Sequence, residues 1–331
     1  MPPDPPLERF TLIGVPAEKR LANFARDVAT GLTASPKYLS CSYFYDRLGS
    51  ALFDAICELP EYYLTRAETA IFRTHADEIP ALFPTAIDLI ELGSGSAIKT
   101  RLLIEAFLRR FPTQRYVPLD INRTVLEESS RSLLSVYPTL EILGIAAEYH
   151  EGLKHLRGLG SRRKLVLWLG SNIGNFERPA AARFLASVRE HLSPDDRLLI
   201  GIDLRKDGAI LEAAYDDACG VTAAFNRNLL ARINSELSGH FDLRAFRHRA
   251  IYNEDLGRIE MYLVSAVAQR AAIDHIRLSI SLKAGEAIHT ENSYKYSPVE
   301  IETLAAAAGL RCERHWLDPD RRFIVTLFGC E

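Results

Sequence analysis

The spacing of apolar positions changes character several times along this chain. From Ala17 to Leu32 they recur at helical spacing, and residues 41–69 follow as an aromatic-rich stretch broken by Gly49 and Pro60. In that stretch Glu61, Tyr62, Tyr63, Thr65 and Arg66, directly after a proline, read as a loop facing a site rather than a helix face. From Ala67 helix and strand patterns alternate. ETAIFRTHADEIPALF predicts a helix, and the apolar run from Ala86 to Leu92 predicts a buried parallel strand. LLIEAFLRRF then predicts a helix, RYVPLDIN (115–122) a strand ending at Asp120, and residues 123–137 a helix. LEILGIAAEY and RKLVLWLGSNIGNF (163–176) predict two more strands, PAAARFLASVREHL a helix and RLLIGIDL (197–204) a strand. This repetition predicts an α/β fold with a right-handed, doubly wound parallel sheet.

After Leu204 the alternation stops. AILEAAYDDACGVTAAFNRNLLARINSEL reads as mostly helical, and HRAIYN, RIEMYLVSAV and IRLSISL read as strands of an insertion that interrupts the sheet. Sheet character returns at the end, where Ser297 caps a helix over SPVEIETLAAAAGL and Asp318-Pro319-Asp320 turns between two strands. The expected organisation is an N-terminal arm over 1–16, flexible because of its prolines, a sheet domain over 67–205 and 295–331, and a second, α+β domain over 17–66 and 206–294.

The chemistry concentrates at AIDLIELGSGSAIKT (86–100), a strand, a tight turn and a helix start, which places a small ligand at the carboxyl end of the strand. A dinucleotide fingerprint needs glycine where Ile98 stands, and a phosphate-binding P-loop needs glycine at the same position before Lys99 and Thr100. Both phosphate readings lose their key residue. Glu91, just before Gly93 and Gly95, repels a pyrophosphate but suits a ligand with ammonium and sulfonium charge, such as S-adenosylmethionine (SAM). Taken alone, E-x-G-x-G also fits a structural corner without a ligand. Asp120, at the end of the second strand, is placed to accept ribose hydroxyls or to cap a helix. Glu148 and Tyr149, after the third strand, lie where an adenine is met.

Composition narrows the ligand class. With 331 residues, 47% of them apolar, the chain can build a large packed core, and a net charge of −3 leaves no basic footprint for nucleic acid or anionic membrane. No apolar run is long enough to span a bilayer, and MPPDPPLERF has neither a basic nor an apolar leader pattern, so the expectation is a cytoplasmic protein with small-molecule partners. The five scattered cysteines form no CxxC pair and no zinc spacing, so reduced thiols and no metal are expected, in a chain read as a monomer.

Several motifs, in order, carry a resemblance: FYD (44–46), LPEYY (59–63), TRAE (65–68), ELGSGSAIKT (91–100), LGSNIGN (169–175), AYDDACGVTAAFNRN (214–228), RIEMYL (258–263) and HTENSYKY (289–296). Together they resemble the histidine-specific SAM-dependent methyltransferase family, which makes Nα,Nα,Nα-trimethylhistidine (hercynine), the first intermediate of ergothioneine biosynthesis. The resemblance implies a class I methyltransferase sheet of seven strands with an inserted substrate-binding domain, and SAM as co-substrate. It implies cofactor contacts from Gly93, Lys99, Asp120, Glu148 and Tyr149, beside Glu91 and Gly95 of the turn. One departure is Glu148-Tyr149, where the family usually has aspartate and phenylalanine. For the amino acid it implies Tyr62, Gly170, Asn175, Tyr215, Met261, Glu291 and Ser293, with Tyr45 and Phe53 nearby, gathered where the two domains meet.

The residue types suit that chemistry. Glu291 can accept an imidazole N–H while Ser293 serves the other ring nitrogen. An indole or phenyl side chain would leave the carboxylate unpaired, which gives specificity by rejection. Asn175 and Tyr215 offer neutral polar groups to the substrate amine and carboxylate, and a neutral surround does not raise the amine pKa. Tyr45, Asn175 and Tyr215 are therefore the candidate catalytic residues, with the proton leaving through a tyrosine-bound water. Tyr62, Phe53, Tyr45 and Phe225 are candidate cation–π partners, although Phe225 reads first as core. Two rivals stand beside this reading. One is a same-family methyltransferase for another amine, disfavoured by Met261 and Glu291; the other is a non-catalytic cofactor-binding protein, disfavoured by Asn175 and Tyr215.

Overall fold

The computed structural model describes residues 9–14 and 17–330. It begins with β1 (Phe10–Gly14), α1 (Ala17–Thr33), β2 (Lys37–Tyr38), α2 (Arg47–Glu58) and α3 (Tyr63–His75). The alternating part runs β3 (Asp88–Leu92), α4 (Thr100–Arg110), β4 (Gln114–Asp120), α5 (Arg123–Val136), β5 (Leu140–Ala146), α6 (Tyr149–Leu153), β6 (Lys164–Trp168), α7 (Arg178–Arg189) and β7 (Arg197–Asp203). The insertion holds α8 (Gly208–Tyr215), α9 (Val221–Leu237), β8 (Phe246–Asn253), β9 (Arg258–Ser265), β10 (Gln269–Ile273), β11 (Leu278–Leu282) and β12 (Ala287–Tyr294). The chain closes with α10 (Pro298–Ala307), β13 (Leu310–Leu317) and β14 (Phe323–Cys330).

These elements fall into two compact units, one of residues up to Gly14, Leu64–Arg205 and Lys295–Glu331, the other of Val15–Tyr63 and Lys206–Tyr294. The first unit carries a sheet in the order β1-β5-β4-β3-β6-β7-β14-β13. Strands β1 to β7 of this sheet run parallel, and the antiparallel β13–β14 hairpin completes it beside β7. Every residue of β3 and β6 is buried, Asp88, Glu91 and Lys164 included, as the central place of these mostly apolar parallel strands requires. The order reverses beside β3, between β4 and β6, and in doubly wound sheets that switch point opens a ligand crevice at the carboxyl ends.

Four local readings are corrected. The expected seven strands gain an eighth: Phe10–Gly14, assigned to a flexible arm, pairs with β5 in register Phe10↔Ile142. Arg9 secures its start by donating from Nη1 to the carbonyls of Tyr137 and Leu140 at 3.0 Å. The rest of that arm, residues 1–8, 15 and 16, lies outside the described residues. Tyr63, Thr65 and Arg66 belong to α3 and not to a loop. The helix expected through Phe83 stops at His75 and continues as two short 3-10 turns, because Pro80 cannot extend an α-helix. The strand expected over 163–176 ends at Trp168, where Gly170 (φ +73°) and Ser171 (φ +60°) turn the backbone into the left-handed region ahead of a 3-10 turn at Asn172–Asn175.

The second unit centres on a sheet in the order β2-β12-β9-β8, with α9 packed against β8 and α2, and a separate β10–β11 hairpin. β12, whose HTENSY run carries no apolar alternation, pairs antiparallel with β9 through a bulge between His289 and Glu291. Among the described residues no helix is long and apolar enough to cross a membrane, and no cluster of His, Cys, Asp and Glu has the makings of a metal site.

Candidate active site

In the first unit the turn after β3 is built from β4. The Gly93 and Ser94 N–H groups donate to the Leu119 carbonyl at 2.8 and 3.1 Å, and the Gly95 N–H donates to Asp120 Oδ2 at 2.8 Å. Asp120 Oδ1 accepts from the Asn122 N–H at 2.8 Å, so this carboxylate organises both neighbouring turns. Burial raises its pKa against the pull of those N–H donors. Glycine is required at 93: φ is +73°, and a Cβ there would come within 2.7 Å of the Tyr149 hydroxyl. A Cβ on Gly95 would meet nothing within 4 Å, so the surface above the turn is open. Lys99 ends the turn and is paired with the fully buried Glu68 of α3. Glu68 also accepts from the Gly170 N–H at 3.0 Å.

Tyr149 opens α6, half-buried, with its ring 5.9 Å from Trp168 and 5.5 Å from Phe184. Glu148 precedes it, exposed, with no side-chain cap bond. Asn175 stands half-buried in the 3-10 turn after β6. The structure thus brings Gly93, Gly95, Lys99, Asp120, Tyr149 and Gly170 into one set of contacts at the carboxyl ends of β3, β4 and β6.

Glu91 departs from the expectation of a fixed charge facing a sulfonium. It is 3% exposed, its Oε1 accepts from the Thr100 hydroxyl at 2.7 Å, and its Oε2 accepts from the Tyr116 hydroxyl. Burial pushes its pKa up to about 7, against the opposing pull of these two hydroxyls. It fastens the start of α4 to β3 and β4, and near neutral pH it is only partly ionised.

In the second unit the FYD motif shapes a cluster of rings. Asp46 caps α2 by accepting from the Gly49 N–H at 2.6 Å, and its Oδ1 also accepts from Asn228 of α9 at 2.8 Å. Phe44 stacks on Phe225 with centroids 4.5 Å apart, which makes Phe225 a core residue, as its sequence context suggests. Tyr45 meets the edges of Phe53 at 5.6 Å and of Phe225 at 5.8 Å, Phe53 meets Tyr62 at 6.1 Å, and Tyr62 meets Tyr215 at 6.1 Å. Burial, followed by the neighbouring Tyr215, Cys57, Tyr45 and Glu291, drives the Tyr62 pKa well above its usual value, so this phenol stays neutral.

Tyr215 ends α8, and its hydroxyl shares a hydrogen bond of 2.8 Å with Ser293 of β12. His248 Nε2 holds the Tyr215 carbonyl at 2.8 Å. On β12, Glu291 lies directly opposite Met261 of β9, and Ser293 opposite Ile259. Opposed residues share a face, as do residues two apart on one strand, so Met261, Glu291 and Ser293 face the same way. The bulge before Glu291 sets that register. Tyr45, Phe53, Tyr62, Tyr215, Met261, Glu291 and Ser293 therefore come from six separate elements or turns into one neighbourhood.

Two residues that hold these sets in place were not singled out in the sequence. Glu68 sits inside TRAE, where helical periodicity cannot tell a buried acid from a solvated one; a glycine facing it at 201 is the signal, visible only once the strand is placed. His248 is a lone histidine in a strand, with no spacing to mark it.

Known proteins extend these observations. The family model "Histidine-specific methyltransferase, SAM-dependent" matches residues 24–330. The chain is 45% identical over 302 residues to a histidine N-alpha-methyltransferase of Mycolicibacterium smegmatis, covering 91% of this chain and 93% of that protein. It is 42% identical, with the same coverage, to a histidine N-alpha-methyltransferase of Mycobacterium tuberculosis. An ergothioneine biosynthesis protein 1 of Neurospora crassa is 33% identical over 287 residues, covering 85% of this chain and 32% of the fungal protein. With its sheet, its glycine turn and this match over nearly its whole length, the chain belongs to the histidine-specific, SAM-dependent methyltransferase family and is a SAM-dependent N-methyltransferase.

Proposed function

We propose that this enzyme transfers three methyl groups, one after another, from SAM to the α-amino group of L-histidine, giving hercynine for ergothioneine biosynthesis. The observation that carries the reading is the placement of Glu291, Met261 and Ser293 on one face of the second unit's sheet, with Ser293 bonded to Tyr215. Glu291 accepts an imidazole N–H, and Ser293 serves the other ring nitrogen directly or through water. Met261 closes the apolar side of the ring. The relatives named for histidine methylation support this choice of acceptor.

The cofactor assignment fits what the first unit offers. The open surface over Gly95, the Asp120 carboxylate, the Lys99 ammonium and the Tyr149 ring suit a ligand with ribose hydroxyls, a carboxylate and an adenine. SAM supplies an electrophilic methyl on a sulfonium. The chain's own task is to hold the amine in line with it and to let one proton leave before each transfer. Gly170 and Asn175, in the turn after β6, are assigned to the amine as well. Tyr45 and Tyr215 take the proton away through water, and no carboxylate is assigned to the ammonium to hold its proton in place. Neutral Tyr62 and Phe53 present ring faces to the cationic methylated amine.

Incubation of the purified protein with histidine and SAM, followed by mass spectrometry, tests the reading. Successive mono-, di- and trimethylhistidine are expected. No product above background, or turnover of another amino acid in preference to histidine, rejects it.

A further inference from the structure

Glu68 is a fully buried carboxylate beside the candidate site. It projects from α3, is 0% exposed, and meets two groups from two different loops. Its Oε2 pairs with Lys99 Nζ at the end of the β3 turn, and its two oxygens lie 3.0 and 3.1 Å from the Gly170 N–H in the turn after β6. β7 makes room for it, since a Cβ on Gly201 would come within 1.9 Å of Glu68 Oε1. A buried charge persists only when it is paired and hydrogen-bonded, and both conditions are met here.

We propose that Glu68 is a positioning residue that fixes the cofactor loop and the acceptor loop to each other. This inference rests on the assignment of Lys99 to the cofactor and Gly170 to the acceptor. The lysine side chain is 22% exposed, so without its partner it can swing toward water. Paired with Glu68, its ammonium is held at the turn and its charge is largely balanced, which matters for a loop that must receive a sulfonium. The same carboxylate pins the first N–H of a turn with two successive left-handed residues, Gly170 and Ser171. One side chain thereby sets the spacing of two loops, and methyl transfer depends steeply on such spacing.

Glu68→Gln separates the two contacts, because the amide oxygen can still accept from Gly170 while the amide nitrogen cannot pair with Lys99. The test is calorimetric titration with S-adenosylhomocysteine, which needs no acceptor, on wild type, Glu68→Gln, Lys99→Met and the double variant, with thermal unfolding measured alongside. Expected is a loss of affinity of about tenfold or more for Glu68→Gln, and little further loss when the same change is made on Lys99→Met. Equal losses in both backgrounds, or no loss in the single variant, would overturn the inference. Should Glu68→Gln fail to fold, Glu68→Asp, which keeps the charge but withdraws it, takes its place in the same cycle with the same expected pattern. Failure of the wild type to bind the ligand would instead strike the cofactor assignment itself, and this inference with it.

Discussion

Glu91 offers a quantitative test of how the glycine turn is built. The carboxyl sits in the fully buried β3, with Thr100 and Tyr116 donating to it, and burial displaces its pKa from 4.5 to about 7. The native state therefore keeps the proton over a pH range where the unfolded chain has released it. Stability from this group is fully present below 4.5 and is lost as pH rises through about 7. Each tenfold change in proton affinity is worth about 1.4 kcal/mol, so the loss amounts to about 3 kcal/mol. Glu91→Gln keeps the size and a hydrogen-bonding oxygen but removes the ionisation. Relative to wild type, the variant should gain about 3 kcal/mol between pH 5 and pH 8.5. The two tryptophans, Trp168 in β6 and Trp316 in β13, both belong to the sheet unit, so fluorescence-detected urea unfolding reports on the unit that contains Glu91. An offset between variant and wild type that stays constant across this pH range would refute the reasoning.

Other expectations concern the remaining parts of the site. Glu291→Gln should raise the histidine KM about tenfold or more, with S-adenosylhomocysteine affinity measured by calorimetry unchanged; an unaltered KM would count against imidazole recognition by this carboxylate. Gly93→Ala forces a Cβ to 2.7 Å from the Tyr149 hydroxyl at a φ of +73° and should cost about 1–3 kcal/mol in thermal unfolding, with a matching loss of cofactor affinity. Burial, ahead of their hydrogen bonds, lowers the pKa values of His248 and His289, so both are neutral in the folded protein. The stability this gives is complete above about 6.5 and is lost as pH falls below it. His248 accepts at Nδ1 from Asn226 and faces Asp216, Asp217 and Arg227, and His289 meets Asn292 and faces Glu260 and Arg258. His248→Gln should flatten part of that acid limb in unfolding followed by circular dichroism.

What the sequence revealed follows the physics of each segment. The β3 corner was legible because a central parallel strand is mostly apolar and a left-handed turn favours glycine, and both preferences leave marks in DLIELGSG. The start of α10 was legible because Ser297 and Glu300 form a capping box, with Ser297 N–H donating to Glu300 Oε2 at 2.7 Å. β1 was not, since FTLIG follows a proline-rich start and its pairing with β5 is a matter of tertiary contact. β12 is not legible as a strand because its middle, Thr290, Glu291, Asn292 and Ser293, is polar on both faces and leaves no apolar alternation to read. Glu91 was placed correctly in the strand, but its neutralising environment depends on Tyr116 from the next strand, which spacing along one segment cannot disclose. Tyr45, Tyr62 and Tyr215 were named from motif resemblance, and their ring-to-ring proximity emerges only from the folded second unit.

The central claim is that the acceptor atom is the α-nitrogen of histidine. Turnover of histidine with SAM carrying a carbon-13 methyl, followed by two-dimensional NMR of the product, reads that atom directly. A trimethylammonium signal whose labelled methyls correlate with the α-carbon position is the predicted result. Label on an imidazole nitrogen, or no labelled product from histidine, would contradict the account.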